Sequence, residues 1–99
     1  MKAIPTGAVA YRRTRVWDQE TIPEGLKGSH TTKDGCWARV CVLSGALEYE
    51  VLVEPGGVYT LVPGVEGVIE PQVPHRVRPL GEVSFYVEFW KAPASCQDG

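Results

Sequence analysis

Ninety-nine residues, 43% of them hydrophobic and 22% charged, suit one folded domain with its own core and leave no room for two. A formal net charge of −2 lacks the basic surplus that phosphate contacts need, so no nucleic-acid partner is expected. Eleven glycines and eight prolines break the chain too often for a helical bundle or a doubly wound α/β fold.

The start of the chain, residues 1–7, has no apolar stretch of signal-peptide length. No run approaches a membrane span, so no membrane partner is expected either. One domain is expected over residues 1–99, with a core at about 8–92 and a frayed tail at 93–99. Three cysteines leave at least one thiol unpaired within the chain. Cys36 and Cys41 lie on one expected strand, roughly 16 Å apart at ~3.3 Å per residue. A disulfide spans about 7 Å at most, so that pair cannot close. With Cys96 in the polar tail, a reducing, cytoplasmic location is the simplest expectation.

In chain order, residues 8–26 begin with Tyr11-Arg12-Arg13-Thr14-Arg15, which reads as a solvated strand edge. Asp18 could open a single helical turn, and Pro23 and Gly25 end anything longer. Residues 28–35 form a polar loop carrying His30, Thr31, Thr32 and Lys33. From Cys36 the pattern has period two. Ala38, Val40 and Val42 share one face; Trp37, Arg39, Cys41 and Leu43 share the other. Ser44-Gly45 is expected to turn this strand. Leu47, Tyr49, Val51 and Val53 then point inward, and Glu48, Glu50 and Glu54 point to water. Further strands are expected at 58–62, 67–70, 75–78 and 83–90, separated by Pro/Gly turns, the last of them at 79–81. This spacing predicts a small antiparallel sandwich or barrel.

Neither a glycine-rich phosphate loop nor a C-x-x-C pair is present, and no Ser or Cys stands in a nucleophile elbow. Chemistry therefore falls to His30 and His75. The Pro71-Gln72-Val73-Pro74 corner stiffens the approach to His75. If Val77 faces inward, His75 does too, while Arg76 and Arg78 take the other face. Two imidazoles converging in a small barrel suit a divalent transition metal (Zn, Fe, Mn or Ni), which needs a third ligand. Glu70 and Glu88 are the candidates. Glu88 shares a face with Tyr86 and Trp90, opposite the apolar stripe of Phe85, Val87 and Phe89, so Glu70 is preferred. A rim carboxylate paired with Arg76 or Arg39 is the plainer reading of both.

The hairpin Val42-Leu43-Ser44-Gly45-Ala46-Leu47-Glu48-Tyr49 and the stretch Ile69-Glu70-Pro71-Gln72-Val73-Pro74-His75-Arg76-Val77 resemble the two cupin motifs. More narrowly, Tyr11 to Phe89 resembles the small cupin-like domain of the tellurite-resistance (TehB/YeaR-like) family. Val16-Trp17, Ile22-Pro23, His30-Thr31-Thr32-Lys33-Asp34-Gly35-Cys36-Trp37, the Gly45 hairpin and Glu70-Pro71-Gln72 followed by His75 carry the match. The resemblance implies an all-β, antiparallel double-stranded β-helix (jelly-roll) barrel, often dimeric, with a divalent metal near His30 and His75. The chain departs from ordinary cupins: Ala38-Arg39 stands near the first motif's glutamate, and Pro79 replaces the second motif's asparagine. Some relatives join the domain to a methyltransferase. This chain ends at residue 99 without a glycine-rich nucleotide motif, so that activity is not expected to carry over.

Three functions follow as expectations. The first is a metal-binding stress-response domain linked to tellurite or another oxyanion. The second is a metal-dependent oxygenase or isomerase. The third is a metal-free module for a small-molecule ligand or for oligomerisation. Tyr86, Trp90 and the two-sided apolar strand exceed what one barrel interior holds, which predicts a homodimer.

Overall fold

The computed structural model describes residues 3–91. The expected tail, with Cys96, lies outside the described residues. The elements are β1 (Val9–Arg13), β2 (Trp17–Asp18), α1 (Glu24–Lys27), β3 (Cys36–Val51), β4 (Gly57–Leu61), β5 (Gly67–Ile69) and β6 (His75–Lys91). The sheet runs β1-β6-β3-β4, with β2 on β6 and β5 on β3. Every pairing is antiparallel, and the fold is all-β.

Two long strands dominate it. β3 has 16 residues and β6 has 17, and each was expected as two strands separated by a turn. Ser44-Gly45 is not a hairpin turn. The β3–β6 ladder continues through it with register shifts between Val42 and Ser44 and between Gly45 and Leu47. A bulge places an extra residue in one strand and bends it without reversing it. Gly45 has φ +77°, and a Cβ built there would collide with the Glu82 carbonyl, so only glycine fits. The hydroxyls of Ser44 and Ser84 meet across the bend at 2.7 Å. The expected turn at 79–81 is likewise absorbed into β6.

The period-two pattern sets the packing. Ala38, Val40, Val42, Leu47 and Tyr49 of β3 are buried against Val77, Val83, Phe85 and Val87 of β6, with Leu61, Ile69 and Ile22 closing the core. Val53, expected inward, lies beyond the end of β3 and is exposed. At Asp18 no helix begins. Its carboxylate accepts the Glu20 N–H at 2.9 Å and closes a polar turn. Those hydrogen bonds to Glu20 and Thr21 hold its carboxyl below the usual range. The one described helix starts after Pro23 instead, where a missing N–H costs nothing.

Cys41 is buried and free, while Cys36 is disulfide-bonded. The excluded Cys36–Cys41 pairing does not form. A disulfide at Cys36 also departs from the thiol-only chain that a reducing compartment predicts. Among the described residues no helix is long and apolar enough to cross a membrane.

Candidate functional site

The proline corner and the alternation of β6 do to His75 what the pattern requires. His75 and Val77 are buried, and Arg76 and Arg78 are exposed on the opposite face. The loop before β3 then closes on the end of β6. His30 N–H donates to the His75 carbonyl and His75 N–H to the His30 carbonyl, both at 2.9 Å. Residues exchanging both backbone bonds across an antiparallel pair carry their side chains on the same side. The two imidazoles accordingly meet edge to face, with centroids 5.4 Å apart and planes at 76°. The Tyr49 ring also packs on His75, with centroids 5.9 Å apart.

The polar atoms of this cluster are unevenly satisfied. His75 Nδ1 lies 3.0 Å from the Val73 carbonyl oxygen. Tyr49 Oη donates to the Val68 carbonyl at 3.2 Å. His75 Nε2 and His30 Nδ1 are buried with no hydrogen-bond partner. Burial pushes the His75 imidazole below the ordinary histidine range, and His30 adds to this. The bond to Val73 acts in the opposite sense. The Tyr49 hydroxyl is pushed up to about 12 by burial, then by Glu70 and Tyr59.

Both histidines line a cleft of about 470 Å³ with Trp17, Leu26, Ile69, Val87 and Phe89, and with Arg12, Arg13 and Thr32. The Arg12 guanidinium stacks over the Phe89 ring, 5.0 Å from its centroid. The arginines, Trp17 and Phe89 were not foreseen here. β1 reads as a solvated edge, and it is exposed throughout, but its pairing with β6 brings it to the histidines. Glu70 is elsewhere. Ile69 faces the cleft, whereas Val68 and Glu70 line a separate recess with Tyr49 and Tyr59. Glu88 lies outside the core, 3.9 Å from Arg39 and bonded to the Trp90 indole at 3.0 Å.

The model of the TehB-like domain family matches residues 12–87. The chain belongs to the TehB-like family. A curated relative from Haemophilus influenzae (strain ATCC 51907 / DSM 11121 / KW20 / Rd), named a probable S-adenosyl-L-methionine-dependent methyltransferase TehB, is 32% identical over 75% of this chain. The alignment spans 27% of that relative. The crystal structure of TehB from Haemophilus influenzae is similar with a TM-score of 0.79 at 27% identity, over 87% of this chain and 32% of that one. A protein of E. coli (strain K12) is similar along nearly its whole length, with a TM-score of 0.84 and 27% identity over 94% of this chain and 99% of that one. The cupin-type fold of FeII HppE is more distant, at a TM-score of 0.56 and 18% identity over 75% of this chain and 40% of that one.

These findings correct the metal and the function built on it. The two curated relatives, both TehB of Haemophilus influenzae, are named for S-adenosylmethionine and methyl transfer, not for a transition metal. Among the described residues no group of three or more His, Cys, Asp or Glu could hold a metal ion. The physical reason is the face of β5: His30 and His75 meet in one cleft, and Glu70 lines another. The cleft also lacks a carboxylate for the cationic and ribose parts of S-adenosylmethionine. That molecule is a sulfonium cation with a ribose diol of the kind that carboxylates bind. The lining offers arginines and imidazoles and no carboxylate.

Proposed function

We propose that this TehB-like chain serves S-adenosylmethionine-dependent methyl transfer in tellurite resistance as a β-domain that holds a small molecule, without itself transferring the methyl group. The family match over residues 12–87 carries the link to the methyltransferase. The chain spans about a quarter of that curated relative's length (27%), and its cleft offers no carboxylate to the sulfonium and ribose of S-adenosylmethionine. Its size and its apolar walls with a few convergent polar groups suit a small ligand. The test is methyl transfer from labelled S-adenosylmethionine to tellurite in extracts of a strain lacking the gene. Transfer is expected to drop without the chain and return when the purified chain is added, with the chain alone inactive. Unchanged transfer in the deletion strain, or transfer by the chain alone, overturns the reading.

We also propose that the bent β3–β6 pair curls into the cupin-type jelly roll and that two copies associate through its outer face. There Trp37 stands opposite Trp90 in the ladder, both half-buried, with the Arg39 guanidinium 4.7 Å from the Trp90 ring centroid. Aromatic and arginine side chains of this kind are enriched at interfaces. Sedimentation is expected to give a dimer at micromolar concentration, and a monomer throughout that range excludes it.

A further inference from the structure

The two unpartnered ring nitrogens define what the cleft lacks. A carbonyl oxygen only accepts, so His75 Nδ1, 3.0 Å from the Val73 carbonyl, carries the ring proton. In a neutral imidazole that leaves Nε2 as a bare lone pair. Nε2 is buried without a donor in a residue that is 1% exposed, and Nδ1 of the half-buried His30 is likewise buried with no hydrogen-bond partner. A buried acceptor without a donor carries its full desolvation cost, and a ligand that supplies the donor recovers it. The surrounding walls, Trp17, Leu26, Ile69, Val87 and Phe89, ask for an apolar body, and two of these five residues are aromatic. Arg12 lines the same cleft with its guanidinium over Phe89, which offers a site for an anionic group.

We propose that this cleft binds a small aromatic acid bearing a hydroxyl group, the hydroxyl donating to His75 Nε2, the ring lying between Trp17 and Phe89, and the carboxylate at Arg12. The inference rests on the reading that the cleft holds a small molecule, and it adds the ligand's chemistry. An inorganic oxyanion would leave the apolar walls unfilled. An unhydroxylated ring would leave Nε2 as it is.

Calorimetry on the wild-type chain with 4-hydroxybenzoate, 4-methoxybenzoate and tellurite tests it without a substitution in the core. 4-Hydroxybenzoate is expected to bind about tenfold more tightly than 4-methoxybenzoate, the equivalent of ~1.4 kcal/mol for one hydrogen bond. The nitrogen resonance of His75 Nε2 should shift with the hydroxyl compound and not with the methoxy one. Arg12→Gln should weaken 4-hydroxybenzoate several-fold and leave 4-methylphenol unchanged. Equal binding of the hydroxy and methoxy compounds overturns the proposal, and so does tellurite binding in preference to both. Absence of ring-acid binding while the chain still restores methyl transfer overturns this inference alone. Hydroxyl-dependent binding without restored methyl transfer supports it and overturns the methyltransferase reading.

Discussion

The ladder between residues 48–51 of β3 and 75–78 of β6 has two faces that solve the same problem differently. Outward, Glu50 pairs with Arg76 at 2.7 Å and Glu48 with Arg78 at 2.9 Å, each directly opposite its partner in the register. Inward, Tyr49 faces Val77 and Val51 faces His75; Tyr49, Val77 and His75 are almost fully buried and Val51 partly so. The outer polar atoms have both partners and water. The inner ones have a single carbonyl each, and two imidazole nitrogens have nothing. One residue's step along a strand thus separates a solvated charge ladder from a buried face whose His75 lines the cleft. Partnered groups on the surface contribute little to stability, whereas unpartnered groups inside point to a ligand.

The comparison predicts unequal mutational costs. The largest belongs to Tyr49, which is 1% exposed and packed between His75 and Tyr59, with centroids at 5.9 and 6.1 Å. Tyr49→Ala should destabilise the domain by about 3–5 kcal/mol, as large aromatic truncations in cores do. Urea unfolding measures it. A loss under 1 kcal/mol would mean that the inner face is not the core.

The acid side of the pH profile is the next way to break it. His75 is held below the ordinary range in the fold and returns to about 6.5 when unfolded. Below that value the unfolded chain takes up a proton that the fold resists. Stability is therefore full above pH 6.5 and declines as pH falls from there toward the lowered native value. His75→Phe keeps the ring volume and should flatten this decline, read as melting temperature between pH 7 and 5. An unchanged slope would place the titration elsewhere.

Much of this inner face is legible in the sequence, because period-two alternation needs only local residues. Val77 pointing inward carries His75 with it, and Leu47 and Tyr49 follow the same rule. What local pattern leaves open is where a strand ends and what lies across the sheet. A glycine at φ +77° serves a hairpin or a bulge equally well, so Gly45 reads as a turn although the ladder runs through it. Alternation alone puts Glu70 on the face of Val68, and the two line one recess. Which recess that face lines depends on β5 pairing with β3, a contact between residues some 29 apart, such as Arg39 and Val68. Arg12 reaches the cleft the same way, through Phe89 at the far end of the chain. The metal expectation failed at this non-local step.

A smaller effect tests the Tyr49 hydroxyl. Its bond to the Val68 carbonyl is a single neutral hydrogen bond, so Tyr49→Phe should cost about 1 kcal/mol. The hydroxyl is raised to about 12 in the fold against an ordinary 10, so the fold resists its ionisation. Stability is full below pH 10 and is lost as pH rises from there toward 12, and the phenylalanine variant should lack this alkaline loss. Equal alkaline slopes in the two proteins would remove Tyr49 from the account.

The smallest effect belongs to the outer face. The Arg76 side chain is 51% exposed and that of Glu50 27%, so water and salt screen much of their attraction in spite of the 2.7 Å contact. A double-mutant cycle of Arg76→Ala and Glu50→Ala should return a coupling of only about 0.2–1 kcal/mol, the range of exposed pairs. Adding 1 M salt, where the screening length is about 3 Å, should reduce it further. The same salt should leave the Tyr49→Phe difference in place, because no formal charge takes part in that bond below pH 10. If the outer coupling instead exceeded 2 kcal/mol and ignored salt, the charge ladder would be buried in the working assembly, and the contrast between the two faces would disappear.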